Sequence, residues 1–381
     1  MTVQRVIRLR LGPSTEQAGI MRTTLVQHTA CFNAVAAYGW EHGEKNGVNL
    51  HHETYYSLRR QFPDLPAQLV VAARVRATEA VKSALALKKK GRKVSGPKAI
   101  LAPIRYDARS YHIRPESATV GLSTVAGRQW MGFKLDQHAL ALLDQAEGFD
   151  SADLILRDGR FHLYLVITIP DQAFASTGEV VGVDMGLNRP AVTSTNLFLG
   201  FRRWRGIDRR YFRFKRAFQA KGTRSAKRHL RRLSGKVNRF RRDCDHVLSR
   251  RIVDSVAPGT VIVVENLKHI RKRVKQRGRE SRRRLHSWTF AQLRAFLEYK
   301  AEGKGCRVEG IDPRYTSQAC SRCGHVHRYN RRSQSRFLCR NCGYELNADL
   351  NAARNIAKKY LAGDGKTVPG GLPSTSLSRQ P

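Results

Sequence analysis

Two cysteine pairs carry the plainest chemistry in the sequence. Cys320-Ser-Arg-Cys323 and Cys339-Arg-Asn-Cys342 are separated by fifteen residues. Two close pairs at that distance offer four thiolates to one tetrahedral ion, a structural zinc site with no open coordination position. Gly324 and Gly343 follow the second cysteine of each pair, where a tight turn needs permissive backbone. Of the seven cysteines, Cys31, Cys244 and Cys306 are scattered. That usage fits a metal site in a reducing compartment and not a disulfide framework.

Three carboxylates stand where solvated surface charges would not. Asp184 follows Val180-Val-Gly-Val183, Glu265 follows Val261-Ile-Val-Val264, and Asp349 opens a helical stretch just past the second cysteine pair. Apolar runs of that kind read as buried strands of a mostly parallel sheet, whose ends collect ligand and catalytic groups. Hard divalent ions, Mg²⁺ or Mn²⁺, held by such acids activate water and stabilise the leaving oxygen of a phosphodiester. Singly, each acid has a plainer reading: Asp184 as a turn residue, Glu265 as an ion-pair partner, Asp349 as a helix N-cap.

The charge points to the partner this chemistry needs. The 381 residues hold 70 Lys and Arg against 30 Asp and Glu, a formal net charge of +40, and 41% are hydrophobic. That apolar content supports packed cores and excludes disorder as the main state. The excess positive charge repels itself in a compact fold, so a polyanion, nucleic acid first, is the expected partner. Residues 201–290 alone hold 30 Lys and Arg and only 6 Asp and Glu, a density that suits phosphate contact. The interleaved rings Trp204, Tyr211, Phe212, Phe214, Phe218 and Phe240 read as packing between helix faces. His269–Ser287, basic and poor in apolar residues, reads as a mobile loop that orders on nucleic acid. No apolar run has the length of a membrane span or a signal peptide, and a cytoplasmic, nucleoid-associated location is expected.

The length suggests two or three domains. In the first half, Val3–Leu11 alternates as a strand, and Ser14 with Gln17 makes a capping box for a helix reaching about Gly43. A second helix covers Ala67–Lys90. From Ile104 to Ile169 the period becomes two, with strands over Ala118–Thr124, Gln129–Leu135 and Leu154–Ile169, the last folded at Asp158-Gly159. This is an α+β half, a small β-barrel with a helical insertion over about 14–92. After a linker at Ser176–Gly178, the second half is α/β. Strands end at Asp184 and Glu265, with further strands over Ala191–Thr195, Phe198–Trp204 and Arg307–Ile311. Helices cover Ile207–Ala220 and Thr223–Val256, broken near Gly222, with Gly235 a second candidate break. Trp288–Gly303 and Asp349–Leu361 are helical too, and the latter lines up Leu350, Ala353, Ile356, Ala357 and Tyr360. Ala362–Pro381, rich in Gly, Pro and Ser, reads as a disordered tail.

The order and context of the acids carry a resemblance. Gly182-Val-Asp184-Met-Gly-Leu187, then Val263-Val-Glu265-Asn-Leu267, then Asp349-Leu-Asn-Ala-Ala-Arg-Asn-Ile356 resemble the split RuvC nuclease of TnpB-type (OrfB) insertion-sequence proteins, relatives of the type V CRISPR effectors. Trp288-Thr-Phe-Ala-Gln-Leu-Arg294, Tyr299-Lys-Ala-Glu302 and Asp312-Pro-Arg-Tyr-Thr-Ser-Gln318 look like the same family. The likeness is sharp over about 180–356 and rests on layout over the first 175 residues. It implies a wedge-like barrel with a helical recognition insertion over 1–175. It also implies an RNase H-like RuvC domain split between 179–312 and 347–361, around a zinc ribbon, 313–346, that binds target nucleic acid. By the same likeness Asp184, Glu265 and Asp349 hold the catalytic Mg²⁺ or Mn²⁺. A guide RNA transcribed from the element's end would pair with double-stranded target DNA, the chain acting as a monomer, with a small partner transposase encoded nearby. Two departures stand out: Asn347 where many relatives carry another acid, and Pro190 in the loop after the first motif. Two other readings stay open. One is a guided DNA-binding regulator that does not cut, against which the intact acids argue, and the other is a compact CRISPR effector.

Overall fold

The computed structural model describes residues 2–200, 202–268, 270 and 278–363. The chain divides into two compact units, Met1–Pro170 and Asp171–Pro381. Most of the expected C-terminal tail, and residues 269 and 271–277 of the expected loop, lie outside the described residues.

In the first unit, β1 (Thr2–Gly12) points Ile7, Leu9 and Leu11 inward and Arg8 and Arg10 outward, the alternation a half-buried strand requires. Three helices follow before the next strand: α1 (Thr15–Glu41), α2 (Gly47–Gln61) and α3 (Ala67–Lys89). The expected capping box is present, with Ser14 Oγ accepting from Gln17 N at 3.2 Å and Gln17 Oε1 from Ser14 N at 3.0 Å. Helix α2 was not anticipated. It buries only Leu50, Thr54 and Leu58, a stripe too thin to register as apolar periodicity, although Asn46 caps its start by accepting from Val48 N.

Six more strands complete an antiparallel sheet: β2 (Ile104–Tyr106), β3 (Tyr111–Arg114), β4 (Thr119–Thr124), β5 (Gly127–Lys134), β6 (Gly148–Arg157) and β7 (Arg160–Pro170). A short helix, α4 (Gln137–Leu143), precedes β6. The order is β2-β6-β7-β1-β5-β4-β3. The hairpin turn is Asp158-Gly159, with Arg157 opposite Arg160. Both turn residues have positive φ, 51° and 75°, the tight turn whose twist matches the strands. The strand expected from Ala118 begins at Thr119 because Ala118 itself turns at φ 48°. The edge strands nearly close the sheet into a barrel. Tyr106 donates its hydroxyl to the Ser123 carbonyl, and Tyr111 donates to that of Asp150, each at 3.2 Å.

The second unit is built on β8 (Val180–Asp184), β9 (Ala191–Thr193), β10 (Phe198–Leu199), β11 (Val261–Glu265) and β12 (Arg307–Ile311), in the order β10-β9-β8-β11-β12. Strands β8, β11 and β12 run parallel. The strand expected over Phe198–Trp204 is only two residues long, because α5 (Arg202–Lys221) begins at once and draws Trp204 into its packing. Gly222 takes φ 64° and separates α5 from α6 (Arg224–Asp254). No break occurs at Gly235, since an isolated glycine costs a long, otherwise regular helix only about 1 kcal/mol. The rings of Trp204 and Tyr211 meet Phe240 edge-on at 6.4 and 6.1 Å, while Phe212 and Phe214 remain exposed.

Part of the stretch expected to be mobile is ordered. Helix α7 (Arg279–Ser287) is basic along its length but docked by specific partners. Asp208 of α5 pairs with Arg241 at 2.6 Å and with Arg283 at 3.3 Å. Arg283 lies over the Phe212 ring, and Arg284 donates to Leu187 O and Asn188 Oδ1. Composition alone did not reveal this docking because its partners, Asp208, Leu187 and Asn188, lie far away in the sequence. Helix α8 (Phe290–Glu302) then covers one face of the sheet. A two-stranded piece, β13 (Arg336–Leu338) and β14 (Glu345–Asn347), leads into α9 (Ala348–Leu361). No helix among the described residues is long and apolar enough to cross a membrane.

One buried group in the first unit makes folding pH-sensitive. His28 of α1 is fully buried, and neither ring nitrogen has a hydrogen-bond partner. Burial, helped by nearby Arg76, pushes its pKa down to about 3. The unfolded chain therefore binds a proton that the folded chain refuses, and stability present above pH 6.5 is lost as pH falls toward 3. The slope approaches about 1.4 kcal/mol per pH unit. Thermal unfolding of wild type between pH 6.5 and 5 should show it, and His28→Leu should flatten that part of the curve.

Candidate functional site

Parallel pairing places two of the acids side by side. Val261 to Val264 lie opposite Val180 to Val183, so the next residues, Glu265 and Asp184, end neighbouring strands at the same level. The two-residue period then decides their face. Val181, Val183, Ile262 and Val264 pack toward Leu248 and Ile252 of α6 and Leu293 and Leu297 of α8. Val180, Val261, Val263 and Ile311 pack toward Ile356 and Tyr360 of α9. Asp184 and Glu265 share the α9 face by alternation.

Helix α9 brings Asp349 to that face by lying against β8 at Gly182. A Cβ there would stand 2.1 Å from the Ala353 carbonyl oxygen and 2.6 Å from Ala357 N. Only glycine permits so close an approach. Asp349 is not the helix cap. Asn347 is, its side chain accepting from Asp349 N at 3.1 Å and Leu350 N at 3.2 Å. The asparagine at the sequence's most visible departure thus serves α9, and the Asp349 carboxylate is left to face the other acids.

The electrostatics record the crowding. Burial, reinforced by Glu265 and Asp349, pushes the Asp184 carboxyl up to about 8, against the pull of Arg331. Burial also raises Glu265, while the Thr316 hydrogen bond, Lys359 and Arg331 oppose it. No ion pair fixes Glu265 within the described residues; Thr316 does, donating its hydroxyl to Oε1 at 2.6 Å. Asp349 Oδ1 is paired with Arg331 at 3.0 Å. Asp184, Glu265, Asn266, Lys268, Thr316 and Arg331 all line one cleft of about 330 Å³. Asp184 feels the charge of both Glu265 and Asp349, yet the three acids do not close up. Among the described residues, the cysteine quartet is the set of such ligand atoms lying within 4.8 Å of one another.

That quartet comprises Cys320, Cys323, Cys339 and Cys342. Cys320 and Cys342 sulfurs are 3.8 Å apart, and those of Cys323 and Cys339 are 3.6 Å apart. These are far beyond the roughly 2.05 Å of a disulfide. They match the ~3.8 Å edge of a tetrahedron with metal–sulfur bonds of about 2.3 Å, so the cluster could hold zinc. The two knuckles repeat one hydrogen-bond pattern. Gly324 N and Gly343 N donate to the carbonyls of Cys320 and Cys339, and those cysteines' amides donate to the carbonyls of His325 and Tyr344. Gly324 and Gly343 take φ 78° and 66°, as the turn requires.

Several residues that hold this arrangement carry no motif of their own in the sequence. Asn351 and Asn355, buried on α9, seize the segment entering the first knuckle. Asn351 Nδ2 donates to Ala319 O and its Oδ1 accepts from Ser321 N, while Asn355 Nδ2 reaches the Thr316 and Ala319 carbonyls. Their four-residue spacing was the available signal, hidden among the alanines. Arg331, in a stretch dense with arginines, turns inward to Asp349.

Residues 164–271 match the family model described as a probable transposase (OrfB_IS605), and residues 290–356 match the Cas12f1-like TNB domain. Over these stretches the chain is similar to TnpB-like proteins and to Cas12f endonucleases. It is 32% identical over 217 residues to the "Putative RNA-guided DNA endonuclease InsQ" of Escherichia coli, covering 52% of this chain and 53% of that one. It is 45% identical over 130 residues to the CRISPR-associated endodeoxyribonuclease Cas12f1 of Sulfoacidibacillus thermotolerans, covering 34% and 29%. To the TnpB-like protein MJ0751 of Methanocaldococcus jannaschii it is 33% identical over 131 residues, covering 34% and 46%. The chain thus spans between about a third and a half of these relatives' length. The fold is shared with the chain in a Cas12f1–sgRNA–target DNA complex, at TM-score 0.62 and 18% identity, over 90% of this chain and 83% of that one.

Two outcomes test this architecture. Gly182→Ala should push α9 off β8 and lower stability by about 1–3 kcal/mol, read from denaturant unfolding; an unchanged midpoint would refute the close approach. Chelating zinc should open residues 313–346 to protease while the first unit stays resistant, as seen in the cleavage fragments.

Proposed function

We propose that the chain is a transposon-encoded, RNA-guided, metal-dependent DNA endonuclease. The observation that carries this is that Asp184 and Glu265, at two neighbouring strand ends, line one cleft, while Asp349 of α9 acts on Asp184 and is paired with Arg331 of the cleft wall. In this reading residues 179–312 and 347–361 form an RNase H-like nuclease, 313–346 are a ribbon that contacts target nucleic acid, and 1–175 are a wedge-like barrel with its recognition helices. The likeness to InsQ, named as an RNA-guided DNA endonuclease, and to Cas12f1 in complex with guide RNA and target DNA supports RNA and DNA as the partners.

The donor set suits hard divalent ions, since a carboxylate raised by burial first and by neighbouring acids second, as Asp184 is, gains from a compensating cation. Bound Mg²⁺ or Mn²⁺ would supply Lewis-acid charge on the phosphodiester and a water of lowered pKa. The chain's own residues do the rest. Asp184, Glu265 and Asp349 provide the ligand oxygens. Thr316 holds the Glu265 carboxylate in one orientation, and Lys268 adds positive charge to the cleft wall. The arginines of α5 and α6 supply the phosphate-binding surface that the charge excess requires.

The test combines protein co-expressed with its element's downstream flank, Mg²⁺, and a plasmid library carrying a guide-matched target beside randomised bases. Wild type should cut at one flanking motif. Asp184→Ala should still retain the plasmid while cutting on the order of 10³-fold more slowly or worse. Equal cutting by the variant would sink the assignment, and retention without cutting by wild type would favour a guided regulator.

A further inference from the structure

Arg331 lines the acid cleft. Its guanidinium pairs with Asp349 Oδ1 at 3.0 Å, and the two side chains are only 26% and 13% exposed. Solvent and salt therefore screen the pair far less than a surface ion pair. Its charge also reaches past Asp349, opposing the rise at both Asp184 and Glu265. An arginine cannot relinquish its proton in the accessible pH range, so its charge cannot be titrated away.

The ribbon fixes where that charge sits. Arg331 bridges backbone to Phe337, which is fully buried with Cys320, Cys339 and Ala348. The guanidinium is steadied again by Gln334 O at 3.0 Å. Asp349 is thus held toward a fixed ribbon cation, and the three carboxylates stay too far apart to form one tight ligand set.

Taking the three acids as metal ligands, as proposed above, we propose that Arg331 competes with the divalent cation for Asp349. The guanidinium must leave that carboxylate before it can join Asp184 and Glu265 in a ligand set. Metal affinity of the cleft is then set partly by the cysteine-held ribbon. Two positive charges cannot both be close to one buried carboxylate without repelling, and the ion pair's free energy is subtracted from metal binding.

Isothermal titration of Mn²⁺ into the full chain, zinc-loaded and free of nucleic acid, reads this directly. Arg331→Gln should bind Mn²⁺ about tenfold more tightly, equivalent to roughly 1.4 kcal/mol. Arg331→Lys, which keeps the charge but loses the planar fork, should fall between that variant and wild type. Arg332→Gln, at the exposed neighbouring position, should match wild type within about twofold, because its charge is solvated. The rise in melting temperature on adding Mn²⁺ should follow the same order. Equal or weaker binding by Arg331→Gln, or equal tightening by Arg332→Gln, would overturn the competition. Failure of the parent reading looks different: Mn²⁺ binding by wild type that is absent, or indifferent to Asp184→Asn, would remove the ligand assignment itself.

Discussion

The close approach of α9 to β8 at Gly182 governs where the three carboxylates can meet. Parallel register alone sets Asp184 beside Glu265, since neighbouring strands are locked about 4.8 Å apart by their hydrogen bonds. Asp349 comes from a helix, and a helix can deliver a first-turn side chain to a strand end only if its axis lies low on the sheet. The missing Cβ at Gly182 allows this, with Ala353 and Ala357 as the surfaces that settle against it.

Placing carboxylates together in a half-buried cleft is unfavourable unless something answers their charge. Thr316 fixes one acid by a hydrogen bond, Arg331 holds another by an ion pair, and Asp184 carries the consequence as a pKa pushed up to about 8. The groups that answer the acids lie in or beside the cysteine knuckles. The ribbon is in turn clamped to α9 by Asn351 and Asn355. Cysteine cluster, last helix and acid cleft are therefore one mechanical piece, and a disturbance of the knuckles reaches the acids through Arg331 and Thr316.

The long basic helices show the same division between general charge and specific anchoring. Most arginines of α5 and α6 face solvent, while Asp208 alone gathers Arg241 and Arg283 and so docks α7. That carboxylate, with the Arg284 bonds to Leu187 and Asn188, holds as a packed helix a stretch that composition marks as loop. Likewise Asn347, conspicuous as a departure from the family pattern, has a local duty as the cap of α9.

Short-range physics made much of the fold legible in advance. The capping box at Ser14 and Gln17, the Asp158-Gly159 hairpin, the buried strands ending in acids and the paired cysteines each depend on neighbours within a few residues. Backbone sterics and side-chain spacing state such features in one dimension. Helix α2 escaped because its buried stripe is three residues wide, and α7 because its stabilising partner lies some seventy residues away in α5. The inward turn of Arg331, the grip of Thr316 on Glu265 and the need for glycine at 182 could be decided only by tertiary structure. Each is a contact between segments that sequence separates and packing brings within hydrogen-bond or van der Waals range. Among a dense population of arginines, only that packing singles out the one that meets Asp349.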